Sequence, residues 1–344
     1  FQISGIPMVR GGDIKQGRIS RNLPHITGEK DTEYSRTRLK SDDVVIALVG
    51  YPGEAAVVPE RLKGANISRA VGLLRPSPDI DPEYLASYLN SPIGRAEFLK
   101  PGAGSAQLVV NLRDLNRLAV PLPSLTEQKA IAHAVTNAER CISSIEELIA
   151  KKTRIKKGAM QELLSGRRRL PGFAEDWEAK SFDRIFYRVN SKEHQIQTTD
   201  YKNVGPYQIV DQGQKPVVAY SDREDRLFKC PEGGVIVFGD HTCIVKFVNH
   251  DFVVGADGTQ VIVAKSGYST RFFAYQLKWK GVEPTGYNRH FKDLRQKILL
   301  IPPVAEQQAI ARVLADLDYE IEVLEARLEK ARQIKQGMMQ ELLT

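Results

Sequence analysis

The sequence predicts an α+β chain: two α/β globular domains separated by two long antiparallel coiled-coil helices, arranged as a pseudo-twofold internal repeat. Three observations predict it. A 44-residue stretch near the middle recurs at the C-terminal end of the sequence. Both copies carry apolar residues at alternating steps of three and four. Each copy also follows a region of short β-branched runs bounded by turn residues.

The repeat organises everything else. Residues 122–165 read LPSLTEQKAIAHAVTNAERCISSIEELIAKKTRIKKGAMQELLS, and residues 301–344 read IPPVAEQQAIARVLADLDYEIEVLEARLEKARQIKQGMMQELLT. A constant offset of 179 aligns them without a gap, with 17 of 44 positions identical. LRDL at 112–115 falls on FKDL at 291–294 by the same offset. Weaker echoes pair GANISRAVGLL from Gly64 with GADGTQVIVAK from Gly255, and YLASYLN from Tyr84 with FFAYQLK from Phe272. These need other offsets, so the globular parts vary in length while the helical parts do not.

Ile131, Val135, Ala138, Ile142, Ile145 and Ile149 form the seam of the first helix, and Ile310, Leu314, Leu317, Ile321, Leu324, Leu328 and Ala331 that of the second. Such spacing is the a/d seam of a coiled coil. Ser124 is the expected N-cap of the first helix, with Glu127 completing a capping box. Pro303 is expected in the first turn of the second. Gly166 is the expected stop after the first, with Pro171 beyond it. A helix of about 39 residues is a rod of roughly 58 Å. Pairing the two seams within one chain is the simplest way to bury both; dimerisation between chains is the alternative. The cations Lys151, Lys152, Arg154, Lys156, Lys157, Arg167, Arg168 and Arg169 form either a solvated face or a phosphate or partner contact.

Both globular regions read as mixed α/β. DDVVIALVG (42–50) and GGVIVFG (233–239) read as strands, and 82–100 and 270–279 have helical spacing. The implied boundaries are 1–121, 122–170, 171–300 and 301–344. Nothing ahead of the first domain matches FAEDWEAKSFDRIFYRVN (173–190), so that domain is expected to be N-terminally incomplete.

Composition narrows the function. A length of 344 residues fits about two domains. The net charge of +7 is compatible with nucleic acid. Cys141, Cys230 and Cys243 form no CxxC pair, which points to a reducing compartment. With no signal peptide and no apolar run near the roughly 20 residues that span a bilayer, the expected location is the cytoplasm. There is no G-x-x-x-x-G-K-[ST] loop, no methyltransferase-like N-P-P-[FYW] tetrapeptide, and no G-x-G-x-x-G after a strand. EDWEAK (175–180) lacks the upstream acidic partner of a nuclease. Cys230, His241, Cys243 and His250 lack zinc spacing. No nucleophile triad emerges. What remains is a binding chain with no metal, cofactor or catalytic residues of its own. Its loops, among them RGGDIKQGRISRN, VDQGQKPVVAYSDRED, GDHT and TGYNRHFK, carry the Arg, Lys, Asn and Gln that suit phosphates and base edges.

PLPSLTEQKAIA, IPPVAEQQAIARVL, KKGAMQELLSGRRRLPGF and IKQGMMQELLT, with GSAQLVVNLRDLNRLAVPLP and YNRHFKDLRQKILLIPP, carry a family likeness. In these stretches the chain resembles the specificity (S) subunit of Type I restriction–modification enzymes. The resemblance implies two target recognition domains, each reading one half of a split double-stranded DNA site. It implies helices that act as a spacer, and the rod of roughly 58 Å agrees, since it spans about 17 base pairs at most. Those helices dock two modification (M) subunits, which bring S-adenosylmethionine, while restriction (R) subunits bring ATP and Mg. No membrane is involved. Base-contacting residues in this family follow no fixed motif, so only loop positions carry over. These are Lys15, Arg18, Arg36, Arg38, Gln107 and Asn111 in the first domain, and Gln212, Gln214, Lys215, Tyr220, Arg223, Tyr287, Asn288 and Arg289 in the second. The rival readings are a coiled-coil scaffold for protein partners and a catalytic DNA nuclease or methyltransferase.

Overall fold

A computed structural model describes residues 4–100, 110, 112–189, 191–286 and 288–343. Of the predicted contact residues, Gln107, Asn111 and Tyr287 lie outside the described residues. In chain order the first elements are β1 (Ile6–Val9), β2 (Ile14–Lys15), β3 (Arg18–Ile19), β4 (His25–Ile26), α1 (Gly28–Glu33), β5 (Val44–Ala47), β6 (Ala55–Val57), β7 (Asn66–Ile67), β8 (Val71–Leu74), α2 (Pro82–Asn90), α3 (Pro92–Leu99), α4 (Leu112–Leu115) and α5 (Leu125–Leu164). There follow β9 (Glu178–Ser181), α6 (Phe182–Ile185), β10 (Phe186–Val189), β11 (Tyr207–Val210), β12 (Ala219–Ser221), β13 (Leu227–Phe228), β14 (Val235–Gly239), β15 (Val245–Val248), β16 (Phe252–Val254), β17 (Thr259–Ala264), α7 (Thr270–Lys280), α8 (Phe291–Arg295), β18 (Ile298–Ile301) and α9 (Val304–Leu342).

Two compact units divide the chain: Phe1–Glu147 with Glu325–Thr344, and Leu148–Leu324. Each therefore takes part of both long helices. The same strand connectivity is built twice. In the first unit β1 pairs antiparallel with β4 and parallel with β7, and β5 lies between β6 and β8. In the second, β11 pairs antiparallel with β12 and parallel with β16, and β14 lies between β15 and β17. The second unit adds β10 beside β17, β13 beside β16, and the β9–β18 pair.

The central strands follow from their residues. β5 is VVIA and β14 is VIVFG, buried at every position, as β-branched runs bounded by turns should be. The helical stretch from 82 is cut in two at Ser91-Pro92, because proline lacks the N–H that a continuing helix needs. Asp81 caps α2 and Ser91 caps α3, each followed by proline at N1.

The long helices begin and end at the expected chemistry, with one shift. Ser124 Oγ accepts the Glu127 amide at 3.3 Å, which is half of the expected capping box; among the described residues the Glu127 carboxylate makes no return bond to the Ser124 amide. Gly166 takes φ +72, with the Arg168 amide bonded back to the Glu162 carbonyl at 3.2 Å. Pro303 falls one residue outside the first turn: α9 starts at Val304, and the Pro303 carbonyl accepts the Gln307 amide at 3.0 Å, which makes it the N-cap.

Within each unit the two helix segments run antiparallel. In the first, Glu139 pairs with Lys335 and Glu146 with Arg332, both at 2.7 Å. Ile131 and Val135 pack with Met339, Leu343, Tyr84 and Tyr88. In the second, Lys152 pairs with Glu320 at 2.6 Å and Lys156 pairs with Asp318, so two cations of the basic run are spent across the helices. Leu163, Leu164, Ile310 and Leu314 join the core that holds Phe182, Phe238 and Phe272. Trp177, in the EDWEAK stretch, is a packing residue: it lies edge-on to Phe272 at 6.4 Å and donates to buried Glu306. Among the described residues no helix is long and apolar enough to cross a membrane, and no group of three or more His, Cys, Asp or Glu is placed to hold a metal ion.

Candidate nucleic-acid interface

The parallel strand pair decides where the loops meet. In the first unit β1 and β7 point the same way, so the segments that follow them emerge at one end. The β5–β6 turn joins them there: the Leu48 amide donates to the Ala70 carbonyl at 2.9 Å. Gly11, just after β1, sits so close that a Cβ on it would lie 2.3 Å from the Val49 carbonyl oxygen and 3.2 Å from that of Ala70. Three loops distant in sequence thus converge on one glycine.

The second unit gathers the equivalent three loops around a side chain. Gln212, just after β11, donates from Nε2 to the Asp257 carbonyl at 2.8 Å and accepts the His241 amide on Oε1 at 3.2 Å. Its own carbonyl accepts Thr242 Oγ1 at 2.7 Å. A fourth segment is pinned beside them by Asp240, whose carboxylate accepts the Phe291 amide at 2.8 Å and whose carbonyl accepts that of His290 at 2.8 Å. His241 Nδ1 lies 3.1 Å from the Asn288 carbonyl. Lys246, nearly buried beneath this end, donates to the Lys215 carbonyl at 2.5 Å and stands 3.6 Å from Asp211. Burial pushes its ammonium below the usual lysine range, against the pull of Asp211.

The predicted contact residues sort by strand direction. Lys15 and Arg18 face each other across a two-residue hairpin whose turn residues Gln16 and Gly17 take φ +51 and +72, as a type I′ turn requires. Lys15 Nζ lies 4.9 Å from the Tyr51 ring centroid, and Arg18 donates to Ser143 Oγ on α5 at 3.1 Å. Gln214, Lys215 and Arg289 are exposed on the second unit's loop cluster. Gln212 and Asn288 are there too, but their side chains are spent on the loops, Asn288 donating to the Thr285 carbonyl at 2.8 Å.

Arg36, Arg38 and Arg223 are not brought to these clusters. β4 and β12 run antiparallel to their neighbours, so the residues that follow them lie at the opposite end of each sheet. Arg38 is committed to Asp31 at 2.5 Å, and Arg223 grips Asp225 with arms of 2.6 and 2.7 Å. Tyr220 sits mid-strand in β12, half-buried, opposite Gln208. Three residues absent from the predicted set stand at the loop end: Tyr51, 55% exposed, Arg69 between β7 and β8, and His241. The GDHT loop that holds His241 is visible in the sequence as a turn; nothing local marks it as part of the cluster.

Two copies of one loop-bearing module in a single chain, each presenting different polar and cationic side chains from the same strand ends, define a two-module recognition protein. A family model described as the Type I restriction modification DNA specificity domain matches residues 4–154 and again residues 174–333, and the chain belongs to that family. Over 147 residues, 42% of this chain, it is 33% identical to the Type I restriction enzyme EcoBI specificity subunit of Escherichia coli, a match that spans 31% of that relative's length. It is 25% identical to the MjaX type I restriction enzyme specificity subunit of Methanocaldococcus jannaschii, over 99% of this chain and 87% of that one. The S subunit of a Type I restriction–modification system from M. genitalium shares the fold, with a TM-score of 0.66 at 13% identity, covering 100% of this chain and 90% of that one.

Proposed function

We propose that this chain is the DNA-reading subunit of a Type I restriction–modification complex in the cytoplasm, and that it contributes no catalytic group. Each unit reads one half of a bipartite double-stranded target through its three-loop end. The recognition domains are assigned to 1–121 and 171–300. The helices within 122–170 and 301–344 dock two modification subunits, and restriction subunits join through the complex. S-adenosylmethionine, ATP and Mg are carried by those partners.

The observation that carries this reading is the repeated loop constellation. The same three strand ends are gathered twice, once on Gly11 and once on Gln212, beneath side chains that differ between the copies. Matching strand ends with different exposed donors suit two different half-sites.

The test is competition binding of the chain with its modification partner on duplexes altered in one half-site at a time. Lys215→Ala with Arg289→Ala is expected to weaken binding and to lower the slope of log affinity against log salt by roughly 2, about one for each phosphate no longer neutralised. The discrimination that the untouched unit makes at its own half-site stays as it was. Methylation by the chain without any added subunit would overturn the non-catalytic assignment.

A further inference from the structure

One of the strands that the second unit adds carries an unusual face. Along β18 burial alternates: Leu299 and Ile301 point inward, while Ile298 and Leu300 point outward with 72% and 44% of their surface exposed. A strand with one solvated face ordinarily puts polar residues there; β18 puts two large aliphatics. They line a groove together with Trp279 and Val282 from the end of α7 and the turn after it. Arg167, Lys278, Lys280 and Lys297 border the same groove against a single carboxylate, Glu283. None of these four cations makes an ion pair among the described residues, but Lys278 is already engaged: it lies over the Tyr275 ring, 5.7 Å from its centroid, with Asp318 as a nearby countercharge. Lys280 instead rests over the Trp279 ring, 4.9 Å from its centroid.

Among the described residues, the matching positions of the other unit carry different chemistry. By the repeat offsets, Ala119 and Pro121 stand where Ile298 and Leu300 do, and Leu118 where Lys297 does. Ser91 and Pro92 take the places of Trp279 and Lys280. At the matching described positions, then, the first unit has neither the two large aliphatics nor counterparts of Trp279, Lys280 and Lys297.

We propose that this groove docks one acidic, extended polypeptide segment of a partner protein, a single copy per chain. An extended segment alternates its side chains between two faces. Apolar residues on one face cover Ile298 and Leu300, and carboxylates on the other reach Arg167, Lys280 and Lys297. A nucleic acid backbone would answer the cations but leave the aliphatic floor against sugar and phosphate. The inference goes beyond DNA reading and does not depend on it.

The full chain is titrated with a fluorescein-labelled peptide of alternating glutamate and valine. A lysine–valine peptide and a single-stranded oligothymidine serve as controls. Saturation at one glutamate–valine peptide per chain is expected, with the controls weaker. Lys280→Glu with Lys297→Glu should weaken the peptide at least about tenfold, as should Ile298→Asp. Lys280 and Ile298 are exposed and Lys297 is half-buried, and thermal melting is expected to show the variants folded. Ala119→Asp should change nothing. The proposal is overturned by an absence of saturable binding, by two peptides per chain, by tighter binding of the oligothymidine, or by folded variants that bind as the parent does.

Discussion

Gln212 and His241 are joined across two loops: the His241 amide donates to Gln212 Oε1 at 3.2 Å, while Gln212 Nε2 holds the Asp257 carbonyl at 2.8 Å. One side chain thus fixes the β14–β15 and β16–β17 loops to the loop that carries it. Gln212→Ala removes both bonds, at about 1–2 kcal/mol of stability. The larger expected effect is on reading. Preference for the correct second half-site over a mismatched one falls, while weak binding to unrelated duplex persists because Lys215 and Arg289 remain. Gln212→Glu keeps the acceptor and loses the donor, so it should fall between. Competition assays decide the matter; equal discrimination in all three proteins would reduce Gln212 to a packing residue.

The first unit needs a different lesion. A methyl on Gly11 would meet two backbone carbonyl oxygens, Val49 at 2.3 Å and Ala70 at 3.2 Å, and backbone cannot swing aside as a side-chain tip can. Gly11→Ala is expected to cost roughly 1–3 kcal/mol and to weaken reading of the first half-site only. Gly12→Ala is the control, because nothing lies within 4 Å of its Cβ position. Urea unfolding and half-site competition together check this; loss at both half-sites would contradict unit-by-unit reading.

What is legible in the sequence is what is local. The seam spacing, the Ser124 cap and the Gly166 stop depend on neighbours in the chain, and the structure has them. The loop clusters depend on parallel pairing of β1 with β7 and β11 with β16, between strands roughly 40 to 60 residues apart, and composition carries no trace of that. Arg38 and Lys15 therefore look alike in sequence. Strand direction alone separates them, placing Lys15 among the gathered loops and Arg38 at the far end against Asp31. Gln212 stands out in the sequence for its amide, yet that amide is consumed in holding loops together.

Asp31 should show in the acid limb of stability. It is nearly buried and accepts Arg38 Nε at 2.7 Å and Asn66 Nδ2 at 3.0 Å; the Arg38 guanidinium is the main reason its carboxyl titrates below the usual aspartate range. A lowered folded pKa contributes stability that is complete above the unfolded value and is lost as pH falls through the folded one. The window therefore opens near pH 4 and extends downward. Asp31→Asn should cost about 1–2 kcal/mol at neutral pH, modest because Arg38 is half-exposed. Urea unfolding across pH should show the gap between parent and variant closing as pH drops below about 4; a gap that widens there would reverse the sign.

The repeated helix ending offers a final test, because identical letters occupy unlike surroundings. Leu164 and Leu343 are repeat partners and are both buried, at 0% and 1% exposure. Leu163 and Leu342 are also partners, yet Leu163 is 5% exposed and Leu342 is 41%. Leu170 and Trp177 pack against the core that contains Leu163, whereas Leu342 borders an open groove with Leu122 and Pro123. Truncating a buried leucine costs about 2–5 kcal/mol, and an exposed one far less. Leu164→Ala and Leu343→Ala should each destabilise strongly, Leu163→Ala nearly as much, and Leu342→Ala by less than about 1 kcal/mol. Equal losses for Leu163→Ala and Leu342→Ala in urea unfolding would mean that the two endings are packed alike after all.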